Sequence, residues 1–153
     1  MTARGANYMT SDASGRADRS FVCDPSSVGS ARQFVASQLA ANDGPQQLID
    51  DFRLIVSELV TNVIEHGSAT TIDVCLDVSD PEWWEVAVSG GRSLPADVAA
   101  PQTWSVADPS QHSGRGLGIV LSLSDEVVVD SSEYHLAVRC RRRRMQPSLI
   151  QPS

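Results

Sequence analysis

Three polar residues of the kinds that handle protons and phosphates recur about one turn apart in an otherwise apolar helical stretch. Glu58, Asn62 and Glu65 fall on one flank, and His66 follows immediately before Gly67. A carboxylate placed there can take a proton from a hydroxyl, and an amide oxygen can ligate a hard cation. The histidine can serve a site or stabilise the helix end through its dipole. Further on, Ser113, Gly114, Arg115, Gly116, Leu117 and Gly118 run alternate glycines into the apolar pattern of Leu117, Val120 and Leu121. That spacing predicts a loop whose amides can point at an anion. Singly, each polar residue is of a type that commonly lines the edge of a core, and alternate glycines alone are a weak signal.

The elements that must position these residues follow from periodicity. Phe52, Ile55, Val56, Leu59, Val60 and Val63 recur at the spacing of one buried helix face, which predicts a helix from 45 or 46 to His66, closed by Gly67. Asn42, Asp43, Gly44 and Pro45 separate it from an earlier helix over 28–41, with Ala31, Phe34, Val35 and Leu39 inward. Before that helix come a short strand at Phe21, Val22 and Cys23 and a turn whose Asp24, Ser26 or Ser27 can cap it. Residues 71–78 alternate apolar with polar, and 83–88 do the same after the turn at Ser79 to Glu82, predicting an antiparallel hairpin. Trp83 and Trp84 read as core or edge packing.

Residues 89–113 carry glycines and prolines with no sustained period, which marks a functional or mobile loop. A helix over 117–123, a strand over 126–130, a turn at Ser131 and Ser132 and a last strand over 134–140 complete the chain. This order predicts an α+β fold, a two-layer sandwich whose mostly antiparallel sheet is covered by helices on one face.

Glu58, Asn62, His66 and Gly67, followed by Gly114, Arg115, Gly116, Leu117 and Gly118, resemble the N-box and second glycine box of the GHKL ATPases. Within that superfamily the wording is most similar to the bacterial anti-sigma-factor serine kinases, over roughly residues 21–139. The resemblance implies a Bergerat-type ATP-binding fold, with 89–113 holding the lid over the nucleotide. It implies ATP and Mg2+ as cofactors, Asn62 as the metal ligand and Glu58 as the group that orients or deprotonates a serine hydroxyl or water. His66, Arg115 and the amides of Gly114, Gly116, Leu117 and Gly118 would meet the nucleotide. In the first glycine box the family has an aspartate, one residue, then glycine; here Ser89 and Gly91 align best, with serine in the aspartate's place. Setting Gly90 against the aspartate loses both key residues. The implied partners are a sigma factor and an anti-anti-sigma, STAS-type protein, with a homodimer possible. A binding module that sequesters a regulator without ATP turnover is the alternative, motivated by Ser89 and the missing lysines.

The 153 residues suit one domain, with an arm over 1–17 too poor in large apolar residues to order itself, a domain over 18–140 and a tail over 141–153. All twelve basic residues are arginine, which removes the usual lysine contact to a nucleotide phosphate. Net charge is −7, yet Arg139 and Arg141 to Arg144 supply five of the positives; the remaining seven arginines against nineteen acids leave the rest at −12. An acidic body does not suit a duplex nucleic-acid binder. The arginine run reads as a solvated tail or a dock for an acidic partner or membrane surface. Cys23, Cys75 and Cys140 lack metal spacing or an even count, no stretch has the roughly twenty apolar residues of a membrane span, and no signal-peptide core is present. These features lead us to expect a cytoplasmic protein with reduced thiols.

Overall fold

The computed structural model describes residues 9–11, 15–66, 70–91, 112–132 and 135–145. In chain order the elements are β1 (Met9–Ser11), β2 (Arg16–Val22), α1 (Ser27–Ala41), α2 (Gln46–His66), β3 (Thr71–Asp77), β4 (Trp83–Gly91), α3 (His112–Leu123), β5 (Glu126–Ser132) and β6 (His135–Arg143). The six strands form one sheet in the order β1-β2-β3-β4-β6-β5, every neighbouring pair antiparallel. The three helices lie on one face, so the α+β sandwich expected from the sequence is the observed fold.

α2 sits between α1 and α3 and turns its apolar stripe to the sheet. Phe52, Ile55, Val56, Leu59, Val60 and Val63 are all buried against Ile72, Val74 and Leu76 of β3 and Trp84, Val86 and Val88 of β4. At roughly 1.5–3 kcal/mol for each fully buried side chain, this stripe is the main reason the helix forms where it does. α1 ends where Asn42, Asp43 and Gly44 turn the chain, with Asp43 at φ 60 and the Gly44 amide donating to Leu39 O at 2.8 Å. Of the candidate caps, Ser26 takes the N-cap position of α1 without a side-chain cap bond, and Asp24 accepts from the Ser26 amide at 3.0 Å.

Several boundaries differ from the sequence reading, and β5 also runs through Ser131 and Ser132, where a turn was expected. β1 and the start of β2 fall inside the stretch expected as a disordered arm, because Arg16 to Val22 take a full ladder from β3 and Ala17 is buried beneath it. Strand pairing supplies what the small side chains there do not advertise. β4 runs on to Gly91, three residues past the expected end.

At the C-terminus, β6 continues to Arg143 through the expected tail, since each arginine finds a partner. Arg141 and Arg143 stack on Trp83 at 4.7 and 4.8 Å, and Arg144 lies over Trp84 at 3.9 Å. Arg142 donates to Asp51 at 2.7 Å and to Leu123 O at 2.8 Å. Finally, α3 begins at His112, five residues earlier than expected, so the glycine run is helix and not loop.

Candidate nucleotide site

Glu58, Asn62 and Glu65 all lie on α2, about one turn apart. Asn62 is 6 % exposed, one of two buried polar residues among those described, and its side-chain nitrogen has no hydrogen-bond partner among the described residues. An orphaned buried amide costs roughly 1–3 kcal/mol, and a ligand bearing anionic oxygens would supply the missing acceptor. Its oxygen is then free to meet a cation, as the chemistry of Mg2+ asks. One turn earlier, Glu58 is half-buried, and burial raises its carboxyl above the ordinary value, with the charge of Glu65 adding to the rise. A carboxylate shifted toward neutral pH is better matched to proton transfer than an exposed one.

α3 packs on α2 at this flank. A side chain at Gly116 would collide with the Glu58 carboxylate, and its Cβ would sit 3.1 Å from Glu58 Cδ. Glycine here lets the two helices close on the carboxylate. The glycine run itself lies inside α3. Amides of Gly116, Leu117 and Gly118 lie within the helix, where they turn toward carbonyls four residues earlier. Only first-turn amides, His112 to Gly114, are free of that ladder and can receive an anion at the positive end of the helix dipole. The Leu117 side chain is buried and belongs to the core. α3 carries Arg115, and His66 is the last residue of α2; both side chains, with Gly67 and residues 92–111 of the lid expected over 89–113, lie outside the described residues.

The structure does not bring Ser89 to this group. Ser89 pairs with Asp73 of β3 and Ala137 of β6, and it lines a cavity of about 410 Å³ with Arg16, Asp18, Cys75 and Arg139 on the helix-free face of the sheet. Sequence reasoning missed that Gly90 is the helix-side residue at this end of β4, buried and level with Leu136. Alternation from Val86 and Val88 carries that signal, since residues two apart share a face. Gly91, the last residue of β4, pairs with His135.

The chain thus combines an antiparallel sheet, three helices on one face and a buried amide beside a carboxylate under a glycine-bearing helix. The chain belongs to the histidine kinase-like ATPase domain family, whose model matches residues 21–142. It is similar to the anti-sigma F factor of Clostridium acetobutylicum, 29 % identical over 107 residues that cover 67 % of this chain and 75 % of that protein. Its fold matches a chain in the crystal structure of the SiaB-SiaC complex from Pseudomonas aeruginosa, with TM-score 0.61, 12 % identity, and coverage of 82 % of this chain and 89 % of that one.

Proposed function

We propose that this protein is a nucleotide-binding regulator of the anti-sigma kind, working by partner switching, and that it transfers the γ-phosphoryl group of ATP to a serine of an anti-anti-sigma partner. The observation that carries the reading is the orphaned, buried Asn62 amide one turn from the half-buried Glu58, against Gly116 of α3. The anti-sigma F factor relative supports the regulatory class. In this scheme Asn62 binds the nucleotide's metal and phosphate oxygens, and first-turn amides through Gly114 receive phosphate, with Arg115 and His66 nearby. Mg2+, when bound, neutralises phosphate charge. Glu58 accepts the proton of the serine hydroxyl as that oxygen attacks the γ-phosphorus and the bond from phosphorus to the β–γ bridging oxygen breaks, releasing ADP. A sigma factor is the sequestered target, and the protein acts in the cytoplasm. No described helix is long and apolar enough to cross a membrane.

A second reading, sequestration without ATP turnover, draws on one specific observation. The helix-side residue at the end of β4 is Gly90, while Ser89 faces the other way, so neither offers the carboxylate that the resemblance asks for. Calorimetric titration with MgATP and MgADP separates the two. Micromolar binding lost in Asn62→Ala, followed by Glu58-dependent phosphoserine on an anti-anti-sigma protein, supports the kinase. Absence of binding up to millimolar nucleotide in a folded sample leaves only the sequestration reading.

A further inference from the structure

β5 closes one side of the sheet, and among the described residues its ladder runs only to β6. Its outer edge therefore presents backbone N–H and C=O groups with no strand on them. Natural edges are usually blunted by brevity, proline, bulges or charges pointing into the row. At the opposite side of the sheet β1 is three residues long. β5, by contrast, runs seven residues without proline and carries Val127, Val128 and Val129 in succession, all half-buried. β-branched residues favour strand pairing, and such an edge is suited to accept an added strand.

The register fixes which side chains flank that strand. Val127 lies opposite Cys140 and Val129 opposite Val138, on the helix-covered face. Glu126, Val128 and Asp130 share the open face, opposite Arg141, Arg139 and Ala137. The chain's own arginines hold these two acids loosely: Arg141 reaches Glu126 at 3.8 Å and Arg139 reaches Asp130 at 3.9 Å, beyond hydrogen-bond range. Asp130 keeps 68 % of its side chain exposed. A second copy is a poor occupant. Antiparallel self-pairing about Val128 sets Glu126 against the other copy's aspartate twice, and like charges directly opposite one another are destabilising.

We propose that the outer edge of β5 takes up an extended segment of a partner protein as a seventh, antiparallel strand. That segment carries basic residues opposite Glu126 and Asp130 and β-branched residues opposite the valines between them. Main-chain bonds supply affinity and the two carboxylates set register. No residue of the nucleotide site takes part.

The test uses the full chain and a fluorophore-labelled peptide with the core lysine, valine, threonine, valine, lysine, followed by anisotropy. Saturable binding is expected, weakened roughly three- to tenfold by Glu126→Gln with Asp130→Asn. Charge reversal to Glu126→Lys with Asp130→Lys should transfer preference to the same peptide with glutamates at its ends. Methylating alternate peptide nitrogens should abolish binding in one register and spare it in the other. Circular dichroism and thermal melts confirm that each variant is folded. Absence of saturable binding overturns the proposal. So does equal loss in both methylated registers, which means attraction without strand pairing, or a concentration-dependent dimer that competes with the peptide, which means a second copy holds the edge.

Discussion

The Glu58 carboxyl shows how a single environment ties stability to chemistry. Folding raises its acidity value above the ordinary 4.5, chiefly by burial and then by Glu65. A carboxyl whose folded value is raised adds stability below the unfolded value and loses it as pH climbs through the folded value. The charged form therefore costs stability at neutral pH. Glu58→Gln should melt above the parent at pH 8, with the gap closing as pH falls below about 4; an unchanged gap over that range would mean burial does not govern the group. Gly116→Ala tests the same carboxylate from α3. A methyl there displaces Glu58 while adding helix propensity worth about 1 kcal/mol, so stability should move little. Its clearer effect is on titration: the Glu58 carboxyl followed by NMR should shift away from its parent value. Thiols behave differently, since burial pushes Cys75 and Cys140 up to about 12. Both should resist iodoacetamide at pH 8 in the native protein and react rapidly in denaturant, read as mass shifts.

Arg142 joins three elements, which makes it the point where packing of helices on sheet can be probed. From β6 its guanidinium reaches Asp51 of α2 and the Leu123 carbonyl at the end of α3, with Asp125 a further 3.9 Å ion pair. Arg142→Ala leaves a half-buried carboxylate and a carbonyl unpaired and should cost about 2–3 kcal/mol in denaturant unfolding. Arg142→Lys should recover only part of this, because an ammonium lacks the planar fork. The sequence could not show this bond: Asp51 and Arg142 are far apart in the chain, and a run of arginines carries no period. What it could show was local. The three-and-four spacing from Phe52 to Val63 marked α2, and the alternation of residues 71–78 marked β3. Alternation also held the answer at β4, where extending Val86 and Val88 by one step reaches Gly90. Aligning by residue type instead selected Ser89, which lies on the helix-free side of the sheet. Glycines 114 to 118 misled for a related reason, since what Gly116 serves is a close approach from α2 that only the folded chain reveals.

At the scale of the whole molecule, the chain's last described strand is not peripheral. β6 lies between β4 and β5, so the C-terminal third of the sheet is assembled around a segment that sequence reading ended at Cys140. Residues 141–143 pair with Glu85, Trp84 and Trp83 of β4, and Arg141 also pairs with Glu126 of β5. Arg141 forms ion pairs with Asp80, Glu85 and Glu126, while Arg144 donates to the Val78 carbonyl at 2.6 Å. Each exposed pair contributes little alone, yet the arginines also cover Trp83 and Trp84 and complete the ladder. A domain of this size has a net stability of only about 5–15 kcal/mol, so loss of the Arg142 bonds with these contacts would remove a large share. Truncation after Cys140 should therefore abolish cooperative thermal unfolding. Replacing Arg143 alone, whose side chain is exposed over Trp83, should shift the midpoint by no more than a few degrees. A truncated chain that still melted cooperatively near the parent temperature would show that the sheet closes without its final residues, and that the arginines serve an outside partner instead of the fold.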